Sequence, residues 1–128
     1  MVRDEAYLNS ITDQIIGCAY KISNILGCGF LEKVYENALA HELIKSCMTV
    51  SRQHPIKVLY DGVVVGEYFA DMMVEDEIIL ELKACKNIDD SHLAQCLNYL
   101  RATEKRVGLI INFGCTKVQV KRVVNKFI

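Results

Sequence analysis

No uncharged apolar stretch of about 18 residues, the length a bilayer-spanning helix needs, occurs in the 128-residue chain, so no membrane span is expected. The first residues, Met1-Val2-Arg3-Asp4-Glu5, lack the apolar core of a secretory signal. The six cysteines (Cys18, Cys28, Cys47, Cys85, Cys96 and Cys115) form no Cys-x-x-Cys pair and no His/Cys cluster at zinc spacing. They are expected to be reduced, mostly buried thiols of a cytoplasmic protein, a disulfide framework being the less favoured alternative. There is no internal repeat and no low-complexity segment. Proline occurs once, at Pro55, and marks an edge strand or a bulge.

Apolar residues make up 52 % of the chain, which argues against disorder. The length fits one domain, residues 1–128, large enough to bury its own core. Net charge is −1, but it is unevenly spread. Residues 1–100 carry 8 basic and 15 acidic side chains; residues 101–128 carry 7 basic and 1 acidic. Arg101, Lys105, Arg106, Lys117, Lys121, Arg122 and Lys126 form that basic end. It suits a polyanion partner, and equally a solvated edge.

Periodicity gives the elements. Ile11, Ile15, Ile16, Ala19, Ile22, Ile25 and Leu26 predict a helix over 10–26, capped at Ser10 or Thr12 and ended by Gly27-Cys28-Gly29. A second helix is expected from Phe30 to Cys47, with Leu31, Val34, Tyr35, Ala38 and Leu39 on its core face. Glu32 and Glu36 lie one turn apart at the border of that face, and Glu42 falls inside the apolar arc. Strands follow at Val50–Tyr60 and Val63–Val74, joined by Asp61-Gly62, a hairpin turn, with Gly66 as a bend point. A third strand spans Glu77–Cys85. A helix over Ser91–Thr103, capped at Asp89, Asp90 or Ser91, carries a core stripe of Leu93, Cys96, Leu97 and Leu100. His92, Gln95 and Tyr99 form a polar stripe beside it. Val107–Phe113 reads as a central buried strand, and Val118–Val124 as the last. The order is ααβββαββ. The crossover helix implies that the Lys83 strand and the Val107 strand are parallel, in a mixed sheet flanked by helices.

Within this frame one stretch is costly. Glu81 and Lys83 interrupt the apolar run Ile78-Ile79-Leu80-Glu81-Leu82-Lys83 and share one face of a strand. Lysine and glutamate are seldom buried unless paired. If the turn before them is the three residues Glu75 to Glu77, Val74 opposes Ile78 and Asp71 opposes Glu81; a two-residue turn would put Asp71 on the other face, so the convergence needs a three-residue loop or a bulge. Two carboxylates and an ammonium then converge. Carboxylates so paired suit a hard divalent cation. A lysine beside them could orient a water or offset charge on a phosphate. A surface cluster of carboxylates and lysine has the same spacing, and that alternative stays open from spacing alone.

Asp71 followed by Glu81-Leu82-Lys83 resembles the D…(D/E)-x-K signature of the PD-(D/E)XK nuclease superfamily, with Ala70 where the signature's proline would stand. The element order is similar to that superfamily's restriction-endonuclease-like core. Gln95-Cys96-Leu97-Asn98-Tyr99 resembles the Gln-x-x-x-Tyr motif of RecB-type nucleases. Gly29-Phe30-Leu31-Glu32-Lys33-Val34-Tyr35, with Ile110-Ile111-Asn112-Phe113, is similar to the GxxExxY proteins placed in that superfamily. The resemblance covers about residues 10–124. It implies Mg2+ or Mn2+ held by Asp71 and Glu81, with the Leu82 carbonyl able to contribute and Glu32 approaching from its helix. It also implies that Lys83 positions or activates the attacking water, and that Gln95 and Tyr99 orient the lysine or contact the phosphate backbone. The implied activity is hydrolysis of nucleic acid, DNA ahead of RNA. A catalytically silent module that binds nucleic acid or a protein, and a homo-oligomer, are the alternatives carried with it. His41, His54 and His92 are read as surface or satisfied histidines.

Overall fold

The structure, a computed structural model, describes residues 4–128. The remarks above on Met1, Val2 and Arg3 lie outside the described residues. Eight elements follow in the order α1 (Glu5–Leu26), α2 (Glu32–Lys45), β1 (Val50–Tyr60), β2 (Val63–Val74), β3 (Ile78–Lys83), α3 (Asp90–Thr103), β4 (Val107–Asn112) and β5 (Gln119–Val124). The five strands form one sheet in sequence order. Only β3 and β4 run parallel, Glu81 beside Ile110 and Lys83 beside Asn112; the other pairs are antiparallel. The mixed sheet and the order ααβββαββ are those the sequence predicts. Among the described residues, no helix is long and apolar enough to cross a membrane.

Alternation sorts the sheet's side chains onto two layers. Met72, Val74, Ile78, Leu80, Leu82, Leu109 and Ile111 pack beneath α1 and α2. Met73, Ile79 and Ile110 point to the other side, against Cys96, Tyr99 and Leu100 of α3. Glu81 and Lys83 continue the Ile79 series, which aims them at the α3 side. β4 is buried along its whole length, as a strand covered on both faces must be.

Three local readings are corrected. α1 begins earlier than Ser10, because Asp4 caps it by accepting the Tyr7 N–H at 2.8 Å, and Leu8 joins the core. The hydroxyls of Ser10 and Thr12 instead donate to the carbonyls of Tyr7 and Asn9. Ile25, expected inside, is exposed. The buried stripe of α2 is Tyr35, Glu36, Leu39, Ala40 and Leu43, while Leu31 and Val34 face outward. The helix is rotated because Glu36 turns inward to polar partners on β1. Glu42, odd for its place in the apolar arc, bridges α2 to α1 through Lys21 at 3.2 Å.

The β1–β2 hairpin is longer than the strands beside it. Its pairing shifts between Val58 and Leu59, beside Gly66, and β3 pairs β2 only from Met72 to Val74. Residues from about Pro55 to Phe69 therefore run out as a two-stranded ribbon.

Candidate active site

The three-residue turn required of the sequence is present: Val74 pairs with Ile78 across Glu75, Asp76 and Glu77. Glu75 and Asp76 both take left-handed backbone, φ 53° each, which is unfavourable for ordinary residues. Glu75 is held there by Thr49, whose N–H donates to its carboxylate at 3.1 Å while the Glu75 N–H donates to the Thr49 carbonyl at 2.9 Å.

Past Met72 and Leu80 the backbone ladder between β2 and β3 ends and side chains take over. The Asp71 N–H donates to Glu81 Oε2 at 2.8 Å, and the Leu82 N–H donates to Asp71 Oδ2 at 2.7 Å. Each carboxylate fills the place of a carbonyl on the opposite strand. On the other side of Asp71, Gln53 of β1 adopts φ 47° and drops out of the pairing between Arg52–Met72 and His54–Ala70. Asp71 thus sits where the sheet opens on both flanks.

Burial and mutual repulsion set the electrostatics. Glu81 is 5 % exposed and Asp71 is half-buried. Burial first, and then the Asp71 charge, push Glu81 up to about 7. Asp71 is also raised, first by burial and then by the charges of Glu36 and Glu32, against the pull of the Leu82 N–H. The half-buried Lys83 lowers both carboxylates. Among the described residues its ammonium has no ion-pair partner within 4.0 Å, so it is held near the pair without being neutralised by it.

The remaining sequence candidates divide. Tyr99 is buried, its hydroxyl raised by burial and by the charges of Glu81 and Asp71, and its ring lies 5.7 Å from that of Tyr68. Gln95 is exposed and lines, with Tyr99, a cleft of about 830 Å³ between α3 and the ribbon. Glu32 is exposed in the first turn of α2, and its charge reaches both carboxylates. Among the described residues, no three His, Cys, Asp or Glu side chains gather as a ready ligand set. Asp71 and Glu81 are brought together; Glu32 stands off from them.

The Gly-x-x-Glu-x-x-Tyr segment builds the corner between α1 and α2. Tyr35 donates to the Gly27 carbonyl at 2.6 Å, accepts from the Phe30 N–H at 3.3 Å and stacks on Phe113 at 4.6 Å. Gly29 supplies φ 111°. This corner sets where Glu32 begins its helix.

Two groups of supporting residues were missed. Buried Glu36 accepts from Arg52 at 2.7 Å, Lys33 at 3.1 Å and Gln53 at 3.1 Å. Its place at the border of a helix face was the only signal. Asn112, fully buried, accepts from the Cys85 and Gly114 N–H groups at 3.0 and 2.9 Å and donates to the Cys85 carbonyl at 2.9 Å. It thereby anchors the segment that follows Lys83. An amide ending an otherwise apolar strand was its visible mark. Gly114 has no room for a side chain: a Cβ there would lie 2.2 Å from the Cys85 carbonyl oxygen.

Comparison with known proteins fits this geometry. The family model described as PD-(D/E)XK nuclease superfamily matches residues 9–123. The crystal structure of SSO0001 superposes with a TM-score of 0.55 at 15 % identity, covering 100 % of this chain and 72 % of that one. An alkaline exonuclease (LHK-Exo) from Laribacter hongkongensis gives 0.56 at 11 % identity, covering 98 % and 73 %. At such identities these two show a shared fold. No curated protein matches the sequence.

Proposed function

Because the chain belongs to the PD-(D/E)XK nuclease superfamily, we propose that it hydrolyses phosphodiester bonds of nucleic acid, DNA ahead of RNA, with Mg2+ or Mn2+. The observation that carries this reading is the reciprocal lock of Asp71 and Glu81 across the opened strands. Two carboxylates forced together, both resisting ionisation, fit a hard divalent cation, which would relieve their repulsion. Asp71 and Glu81 would hold it, with the Leu82 carbonyl as a further oxygen and Glu32 reaching in from α2. When bound, the cation supplies neutralisation of the charge on the phosphate oxygens.

The other roles belong to the chain's own groups. Lys83 positions the attacking water and offsets charge on the phosphate. Tyr99 stands against the carboxylates, and Gln95 extends that wall into the cleft, where the two orient the lysine or contact the phosphate backbone. The Gly29-x-x-Glu32-x-x-Tyr35 segment supports the narrower placement in the GxxExxY group, and Gln95-x-x-x-Tyr99 supports the RecB-like affinity. The six thiols are unpaired, which fits a cytoplasmic setting, but only Cys96 is buried and Cys28 and Cys47 are exposed, against the expectation that most would be buried.

Purified protein given Mn2+ or Mg2+ is expected to cut DNA or RNA. Lys83→Ala should abolish cutting while the chain keeps its wild-type circular dichroism. Cutting that survives this substitution would sink the mechanism.

One observation favours a second reading, a catalytically silent nuclease-fold module that binds nucleic acid or a protein: no third ligand gathers with Asp71 and Glu81 among the described residues. Binding that weakens steeply with salt, without cleavage under any metal, would select it.

A further inference from the structure

The cleft of about 830 Å³ between α3 and the ribbon stays open because the helix has nothing large to put there. Ser91, Ala94, Asn98 and Ala102 recur at helical spacing along the face of α3 that lines it, and all are small or polar. Asn98 and Gln95, both exposed, place two side-chain amides about one turn apart on this wall. The opposite wall is Tyr68. Gly66 leaves room for its ring, since a Cβ there would lie 3.4 Å from Tyr68 Cε2, and the ring of Tyr99 stands 5.7 Å away, tilted by 44°. With these neighbours Tyr68 still keeps 49 % of its surface exposed. The charged lining residues are Lys57, Arg101 and Glu104, a surplus of one positive charge. Tyr99 belongs to two places: it lines the cleft, and it stands within electrostatic reach of Asp71 and Glu81.

We propose that this cleft is a base-binding subsite and that the substrate is a single strand, one unpaired nucleotide laying its base on Tyr68 while a neighbouring phosphate reaches Asp71 and Glu81. The placement of the phosphate rests on the nuclease reading. The cleft has the volume of a site for one small organic ligand. A nucleobase has a flat π-face and a polar edge. Tyr68 offers the matching face, and Gln95 and Asn98 offer donors and acceptors to the edge. An apolar ligand would cover those two amides and leave them unpaired. A base still paired in a duplex has its edge engaged and its faces stacked, so it has neither to give to the cleft. The shared Tyr99 makes the cleft continuous with the acidic pair, as one substrate strand requires.

Fluorescein-labelled octanucleotides of DNA and of RNA, each as a single strand and as a blunt duplex, test this by polarisation in metal-free, low-salt buffer, where nothing is cut. The single strand of at least one sugar should bind more tightly than its duplex. Tyr68→Ala should weaken that binding by about fivefold or more, the low end for loss of one base–aromatic stack, while Tyr68→Phe keeps it. Asn98→Leu, at an exposed helix position, should weaken it independently of any effect on the ribbon. Circular dichroism confirms the fold of each variant. A preference for duplex, or single-strand binding that neither Tyr68→Ala nor Asn98→Leu alters, would overturn the subsite even if the protein cuts with Mn2+. Binding that follows these variants in a protein that cuts nothing would uphold the subsite and overturn the nuclease reading alone.

Discussion

Glu81 concentrates in one side chain the conflict between stability and the chemistry proposed for it. Its carboxyl is held near 7 in the folded chain against an ordinary 4.5, from burial and then the Asp71 charge. Below pH 4.5 it is neutral in both folded and unfolded states. Between 4.5 and 7 the unfolded chain ionises first, so folded stability falls as pH rises; above 7 the full penalty is present. The raised Asp71 acts in the same direction. Glu81→Gln keeps an oxygen to accept the Asp71 N–H and removes the charge. It should stabilise the chain at pH 8 by about 2–3 kcal/mol, leave it nearly unchanged at pH 4, and abolish cutting. Urea unfolding of both proteins across this range checks it; equal stability at pH 8 would refute the assignment. That Asp71 and Glu81 oppose each other was legible only as a condition on the loop, three residues or a bulge, and the structure supplies the three-residue turn. That each carboxylate replaces a backbone acceptor of the opposite strand was not legible. Competition between side chain and backbone for one N–H is decided by how far the strands part.

At the scale of elements, the sequence is most readable where local chemistry is strongest. The bounds of β1 and β2 follow from alternation and from the Asp61-Gly62 turn, and both match. α2 was misread because its decisive residue is charged. Glu36 is buried yet lowered: burial acts to raise it, and the hydrogen bonds from Arg52 and then Lys33 outweigh burial. No apolar periodicity can locate a face that contains a glutamate. This network docks α2 on β1 and holds Gln53 in the left-handed backbone next to Asp71. Removing Arg52 leaves a buried carboxylate with only Lys33 and Gln53. Arg52→Ala should therefore cost about 2–3 kcal/mol, somewhat less than a fully buried pair because the guanidinium is partly exposed. Arg52→Lys should recover part of it, since Arg52 reaches Glu36 through two nitrogens and lysine has one. A loss under half a kcal/mol in urea titrations would mean the network is ornamental to the fold.

Across the whole molecule, the centre of the sheet holds the acidic pair and the two ends differ. The apolar ribbon projects from one end, and β5, bearing exposed Lys121 and Arg122, closes the other. Part of the basic surplus is already engaged: Arg122 donates to Thr12 at 3.1 Å, Lys105 lies 3.6 Å from Asp76, and Arg101 sits over Phe127. The reading of residues 101–128 as a polyanion surface could not foresee this, because those partners are distant in sequence. What couples the centre to the whole fold is protonation. A cation binding at Asp71 and Glu81 must displace the proton that Glu81 retains below about 7. At pH 6 that competition should weaken Mn2+ affinity by about tenfold relative to pH 8, with close to one proton released per ion at pH 6 and almost none at pH 8. Since the ion binds only the folded chain, saturating Mn2+ should raise the melting temperature, more at pH 8 than at pH 6 for the same total metal. Calorimetric titration in buffers of differing ionisation heat counts the protons directly. A melting shift independent of pH, or one retained in Asp71→Asn, would place the ion elsewhere and detach the acidic pair from metal chemistry.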